Sequence, residues 1–160
     1  MKIMMIDDEK DCMESLATAL EPAGHHAEMF SSPLDAVDHY AKDLYDVVIT
    51  DMRMPHMTGI QVLKTLRQKD PEARVIIMTG YGDAETAIAA VNNGAYAFFA
   101  KPVDIGELLE VLDKVGTETA QVRLSQEEQA KMFAEYQRLK NAYDDILRLL
   151  NEKSWKCPKG

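Results

Sequence analysis

The sequence predicts an α/β fold, a doubly wound five-stranded parallel sheet carrying a long C-terminal helix. Three observations predict it. Short apolar runs alternate strictly with amphipathic stretches up to about residue 116. Each run is bounded by turn residues or acids, as buried parallel strands are. From Thr117 to Lys153 there is no Gly or Pro, and helical periodicity takes over.

The expected strands are Lys2–Ile6, Ala27–Phe30, Val47–Thr50, Arg74–Met78 and Ala95–Ala100. Helical segments fall near 11–22, 33–42, 59–69, 84–93 and 104–115. Ser32-Pro33 sets a capping hydroxyl before a proline at the first helical position. Asp104 and Glu107 have capping-box spacing, and Gly24 and Gly94 stand where helices should stop. Five such βα units imply right-handed crossovers in one sheet. The expected division is a domain over 1–116 and a helical extension over 117–160 with a frayed tail from Ser154.

Composition narrows the function. The chain has 46% apolar and 28% charged residues, which is globular rather than disordered. No apolar run reaches the ~18 residues a membrane span needs, and the N-terminus lacks a signal-peptide pattern. The expected location is the cytoplasm. A formal charge of −9 argues against nucleic acid as a partner and is compatible with a divalent cation. Cys12 and Cys157 have no metal-binding spacing and are expected to be reduced thiols.

Residues just past the carboxyl ends of parallel strands converge on one crevice. Here those positions are Asp7-Asp8-Glu9, Asp51, Thr79-Gly80 and Lys101-Pro102. Crowded carboxylates repel one another, so such a site should either raise a pKa or recruit a cation. Mg²⁺ (or Mn²⁺) suits oxygen ligands and is held by one or two carboxylates plus phosphate oxygens. Lys101 adds a positive charge for an incoming phosphoryl group, and Thr79 a hydroxyl. Phosphoryl transfer needs chiefly positioning and charge neutralisation. A carboxylate nucleophile forming an acyl phosphate fits these parts.

The motifs Ile-Asp7-Asp8-Glu9, Ile-Thr-Asp51-Met-Arg-Met-Pro55, Met-Thr79-Gly-Tyr-Gly-Asp83 and Phe-Phe-Ala-Lys101-Pro102 resemble the receiver domain of two-component response regulators. Around Thr79 and over 94–102 the wording is similar to receivers of the nitrogen-regulatory and dicarboxylate-regulatory type. The resemblance implies a flavodoxin-like sheet of order 2-1-3-4-5. It implies Asp51 as phosphoacceptor, Asp8 assisted by Asp7 as Mg²⁺ carboxylates, and the Arg53 backbone carbonyl in the metal shell. Lys101 would bind the phosphoryl group through a segment with a cis bond to Pro102. Thr79 would move toward the phosphoryl oxygen and draw the 79–83 loop along. Phe98, three residues before the lysine, would be the aromatic switch, with Phe99 in the core. The donor would be a sensor histidine kinase or phosphotransfer protein. The implied role is signalling, not turnover of external substrates.

Rival readings are an aspartyl-phosphate phosphatase and a degenerate receiver serving as a scaffold. Phosphatases similar to the haloacid dehalogenases place a second Asp two residues after the nucleophile, where this chain has Arg53. A flavin-binding module would want hydroxyls and Gly after the first strand, not three acids.

Among other candidates, His25-His26 reads as a surface pair at the start of the second strand. His56 reads as loop solvation near the pocket. In the C-terminal helix Met132, Tyr136, Leu139, Tyr143, Ile146 and Leu150 recur at alternating spacings of four and three, a heptad seam. With Tyr136 at position a, Glu135 (g) and Lys140 (e) would pair between chains. Phe133, Leu147 and Leu149 widen the stripe. The expected assembly is a homodimer through 117–152 and the fourth and fifth helices. The same stripe would also serve a helix folded back on its own domain.

Overall fold

A computed structural model describes residues 1–80 and 84–152. The frayed tail, Cys157 and the 81–83 part of the loop after Thr79 lie outside the described residues. Five strands form one all-parallel sheet: β1 (Lys2–Ile6), β2 (His26–Phe30), β3 (Val47–Asp51), β4 (Val75–Thr79) and β5 (Ala97–Ala100). Their spatial order is β2-β1-β3-β4-β5. The helices are α1 (Lys10–Leu20), α2 (Pro33–His39), α3 (Gly59–Lys69), α4 (Ala84–Asn92) and α5 (Ile105–Glu152). The chain divides into two compact units, 1–118 and 119 onward.

Strand alternation sorts the core into two layers. Met4, Ile6, Val48 and Ile77 face one way and pack with Val37 of α2, Val62, Leu63 and Leu66 of α3, and Ala90 of α4. Ile3, Met5, Ile49, Ile76 and Met78 face the other way, onto Met13, Leu16 and Leu20 of α1 and Leu108, Leu112 and Val115 of α5. Helices α1 and α3 bury residues at three- and four-residue spacing, the amphipathic period. Met4, Met5 and Met78 are core, as their strand positions predict, whereas Met29 on β2 is exposed. Central β3 and β4 are buried throughout, whereas β2 and β5 at the edges are half-exposed.

The caps follow the sequence. Asp35 N–H donates to Ser32 Oγ, and Glu107 N–H donates to Asp104 Oδ1 at 3.0 Å. Gly24 and Gly94 take positive φ of 77° and 79°, Gly24 closing the 3-10 turn Glu21–Ala23 that follows α1 and Gly94 just past the end of α4. α2 is shorter than expected. Tyr40 turns extended because its hydroxyl donates to the buried carboxylate of Asp70 at 3.1 Å. α5 also departs from expectation, running unbroken past Gly116 into the extension.

His25 corrects the sequence reading. It is not on the surface: only 7% is exposed, and neither ring nitrogen has a hydrogen-bond partner. Gly24 turns the chain so that His25 packs beneath the N-terminus, whose ammonium donates to Gly24 O at 3.1 Å. Burial, then the N-terminal charge, lowers the His25 pKa below its usual value of 6.5. The unfolded chain therefore binds the proton first, and stability falls as pH drops below 6.5 toward the folded-state value. His25→Phe should lose less melting temperature than the wild type between about pH 7.5 and pH 5.5, a window above ordinary carboxylate titration. Equal losses in thermal melts would refute the assignment.

Candidate functional site: the carboxylate crevice at the strand ends

Backbone hydrogen bonds stitch the strand ends together before any side chain contributes. Met52 N–H donates to Met78 O at 2.8 Å, Lys101 N–H to Thr79 O at 2.7 Å, and Asp7 N–H to Phe30 O at 3.2 Å. Asp7 follows β1, Asp51 ends β3, Thr79 ends β4 and Lys101 follows β5. Parallel register thus brings four distant segments of sequence to one edge.

Three of the expected residues meet directly. Lys101 Nζ lies 2.7 Å from Asp7 Oδ2 and 2.7 Å from Asp51 Oδ1. The other carboxylate oxygens are held by backbone: Glu9 N–H donates to Asp7 Oδ1 at 2.9 Å, and Arg53 N–H to Asp51 Oδ2 at 2.6 Å. Asp7 is 2% exposed and Asp51 7%. Burial alone would lower the Lys101 pKa, but hydrogen bonds to Asp51 and Asp7 and the fields of both carboxylates outweigh it. The ammonium is held above the ordinary lysine range.

Asp8 is exposed beside this cluster, and Thr79 is buried at the end of β4. Phe98 is half-buried against the layer of α2, α3 and α4, and Phe99 against the layer of α1 and α5. The Lys101–Pro102 peptide is cis. His56 is exposed in the loop after β3 with a positive φ of 70°.

The donor set fits a hard divalent cation. Asp7, Asp8 and Asp51 carry three formal negative charges against the one positive charge of Lys101, and the three aspartates all offer oxygen. Among the described residues, no three His, Cys, Asp or Glu side chains form a cage by themselves. A cation here would keep most of its shell as water and phosphoryl oxygen, which is how Mg²⁺ binds. The Cys12 thiol nearby is pushed up by burial, so it is a poor nucleophile. Next to Lys101, an apolar groove of about 350 Å³ is lined by Cys12, Leu16, Met78, Pro102 and Val103.

Sequence reasoning missed Gly59, Thr58 and Gln61. Gly59 begins α3 directly against the backbone of Asp51 and Met52. Thr58 and Gln61 form a complete capping box. The Thr-x-x-Gln spacing was a usable signal for the box; the close approach of Gly59 had none.

Comparison with known proteins agrees with this geometry. Residues 3–113 match the response regulator receiver domain. The C4-dicarboxylate transport transcriptional regulatory protein DctD of Rhizobium meliloti is 34% identical over 108 residues, 68% of this chain and 24% of that protein. The phosphoglycerate transport system transcriptional regulatory protein PgtA of Salmonella typhimurium is 34% identical over 69% of this chain and 27% of its own. The chain thus spans about a quarter of the length of these regulators. It covers 91% of sporulation initiation phosphotransferase F of Bacillus subtilis, at 34% identity over 71% of this chain. Among solved structures, a receiver domain from Clostridium thermocellum superposes with a TM-score of 0.71 at 32% identity, covering 76% of this chain and 98% of that one. The beryllofluoride-activated NtrC4 receiver domain dimer gives 0.68 at 27%, covering 73% and 97%. With fold, strand order and sequence in agreement, the chain belongs to the response regulator receiver domain family of two-component signalling.

Proposed function

We propose that this receiver takes a phosphoryl group onto Asp51, with Mg²⁺ (or Mn²⁺) bound by Asp8 and Asp7, Asp51 itself and the backbone carbonyl of Arg53. The observation that carries the proposal is the Asp7–Lys101–Asp51 bridge, two buried carboxylates sharing one ammonium. A bound Mg²⁺ would neutralise phosphoryl charge. In this chain, the Arg53 N–H orients the Asp51 carboxylate and leaves the oxygen facing Lys101 to attack. As the Asp51 oxygen–phosphorus bond forms, the donor's bond to phosphorus breaks and the donor takes back the electron pair. Lys101, already at the site, transfers its ion pair from the carboxylate to the phosphoryl oxygens. The Thr79 O–H then donates a hydrogen bond to a phosphoryl oxygen, and Phe98 reports the change to the face of α4 and β5.

The donor is a phosphohistidine on a sensor kinase or phosphotransfer protein, seated partly on the apolar groove beside Lys101, and the protein works in the cytoplasm. No described helix is long and apolar enough to cross a membrane. Output is by protein contact, including self-association through 117–152 and the fourth and fifth helices. The chain does not turn over external substrates.

Incubation with acetyl phosphate should add one phosphoryl group only when Mg²⁺ or Mn²⁺ is present. Asp51→Asn should abolish labelling, and Asp8→Ala should shift the Mg²⁺ requirement upward by about tenfold or more, the loss of one carboxylate ligand. Labelling of Asp51→Asn at the wild-type level would sink the proposal.

A further inference from the structure

The loop from Met52 to Thr58 leaves Asp51 and returns to it. Gly59 N–H donates to Met52 O at 3.0 Å, closing the loop on its own first residue. A Cβ at Gly59 would lie 2.5 Å from Asp51 O, 3.1 Å from Met52 Cα and 3.2 Å from Asp51 C. Those atoms are backbone and cannot swing aside, so helix and phosphoacceptor peptide touch without a side chain between them. The glycine is required for that proximity and not for an unusual dihedral, since its φ is not among the positive ones.

Two further features tie the loop to the reactive carboxylate. The Arg53 N–H that holds Asp51 Oδ2 belongs to this loop, so where the loop closes decides where that donor sits. Buried Met52 and Met54 pin the loop from inside, while His56 holds a left-handed backbone that costs energy unless its surroundings enforce it. At the closing end, Gln61 N–H donates to Thr58 Oγ1 at 3.3 Å. In return, Thr58 N–H donates to Gln61 Oε1 at 2.8 Å. That reciprocal pair fixes the first turn of α3 at the point where it meets Asp51.

We propose that the first turn of α3 positions the phosphoacceptor, with Gly59 and Gln61 as positioning residues for phosphoryl acceptance. The inference rests on Asp51 being the acceptor. Neither residue touches the donor. They act through the loop that carries the Arg53 N–H, so they should change the rate of transfer and leave donor binding alone.

The test compares the wild-type 160-residue chain, Gln61→Ala, Gln61→Glu and Gly59→Ala, each below its melting transition, for Mg²⁺-dependent labelling by acetyl phosphate. Gln61→Ala should lower the maximal labelling rate about threefold to tenfold with the donor KM unchanged. Gln61→Glu retains the acceptor for Thr58 N–H and should return the rate to within about twofold of wild type. Gly59→Ala should fall further, by at least about tenfold. If Gly59→Ala does not fold, the Gln61 pair decides. A wild-type rate in Gln61→Ala, a loss not rescued by Gln61→Glu, or an effect confined to KM would overturn the inference. Failure of the underlying reading looks different, because the wild type itself would then carry no label on Asp51.

Discussion

Lys101→Ala should destabilise the folded chain by about 3 kcal/mol in the absence of divalent cations, and Mg²⁺ should restore much of the loss. The ammonium sits 2.7 Å from both Asp7 and Asp51, which are almost wholly buried. Removing one partner of a buried ion pair leaves uncompensated charge, typically costing about 3–5 kcal/mol. The lysine side chain is 20% exposed, so the lower end applies. Its raised pKa means this contribution is complete at neutral pH and is lost only above the ordinary lysine value of 10.5. A cation binding only the folded state returns about 2.7 kcal/mol at a hundred times its Kd. Urea melts in EDTA and in Mg²⁺ measure both effects. A variant as stable as wild type in EDTA would show that the bridge contributes nothing. The same variant should still accept some label, but with a weaker hydrogen-exchange response to beryllofluoride over 84–100, since Lys101 links the site to the strand bearing Phe98.

Self-association is the second large expected effect. Met132, Tyr136, Leu139, Tyr143, Ile146 and Leu150 are 55–66% exposed on a helix that buries none of them in its own unit. Burying each is worth about 1–2 kcal/mol. Ordering the helix costs about as much per residue, so the seam alone is marginal. Contacts through the fourth and fifth helices should add to it, and α4 offers Ile88 and Val91, which are 57% and 68% exposed. Replacing Leu139 and Ile146 together by Glu puts four carboxylates into the dimer seam and should raise the dimer Kd at least about a hundredfold, about 2.7 kcal/mol. Sedimentation equilibrium of the whole chain at tens of micromolar reads this directly. A wild-type chain that is monomeric there refutes self-pairing and makes the helix a folded-back cap or a docking site for another protein.

The sheet was legible because its strands are short apolar runs, and four of the five are closed by a residue with chemistry of its own: Asp7, Asp51, Thr79 or Lys101. That coincidence exposed the fold and the crevice together. What stayed hidden depends on contacts between distant segments. Gly116 looks like a stop, yet a Cβ there would meet nothing nearer than Met1 Cε at 3.6 Å, and strong helix formers follow, so α5 continues. His25 looks like surface because imidazoles usually are, and only the turn at Gly24 carries it inward. Gly59 carries no sequence sign of its closeness to Asp51, because helix and strand meet only when the loop closes.

The central claim is that the phosphoryl group resides on the carboxylate of Asp51, and borohydride trapping tests it most directly. Reduction of an aspartyl phosphate releases phosphate and converts that residue to homoserine, a product that phosphoserine, phosphothreonine or phosphohistidine cannot give. After acetyl phosphate and Mg²⁺, peptide mass spectrometry should find homoserine at position 51, none at positions 7 or 8, and none without the cation. Homoserine at another aspartate, or a labelled chain that yields no homoserine, would contradict the account.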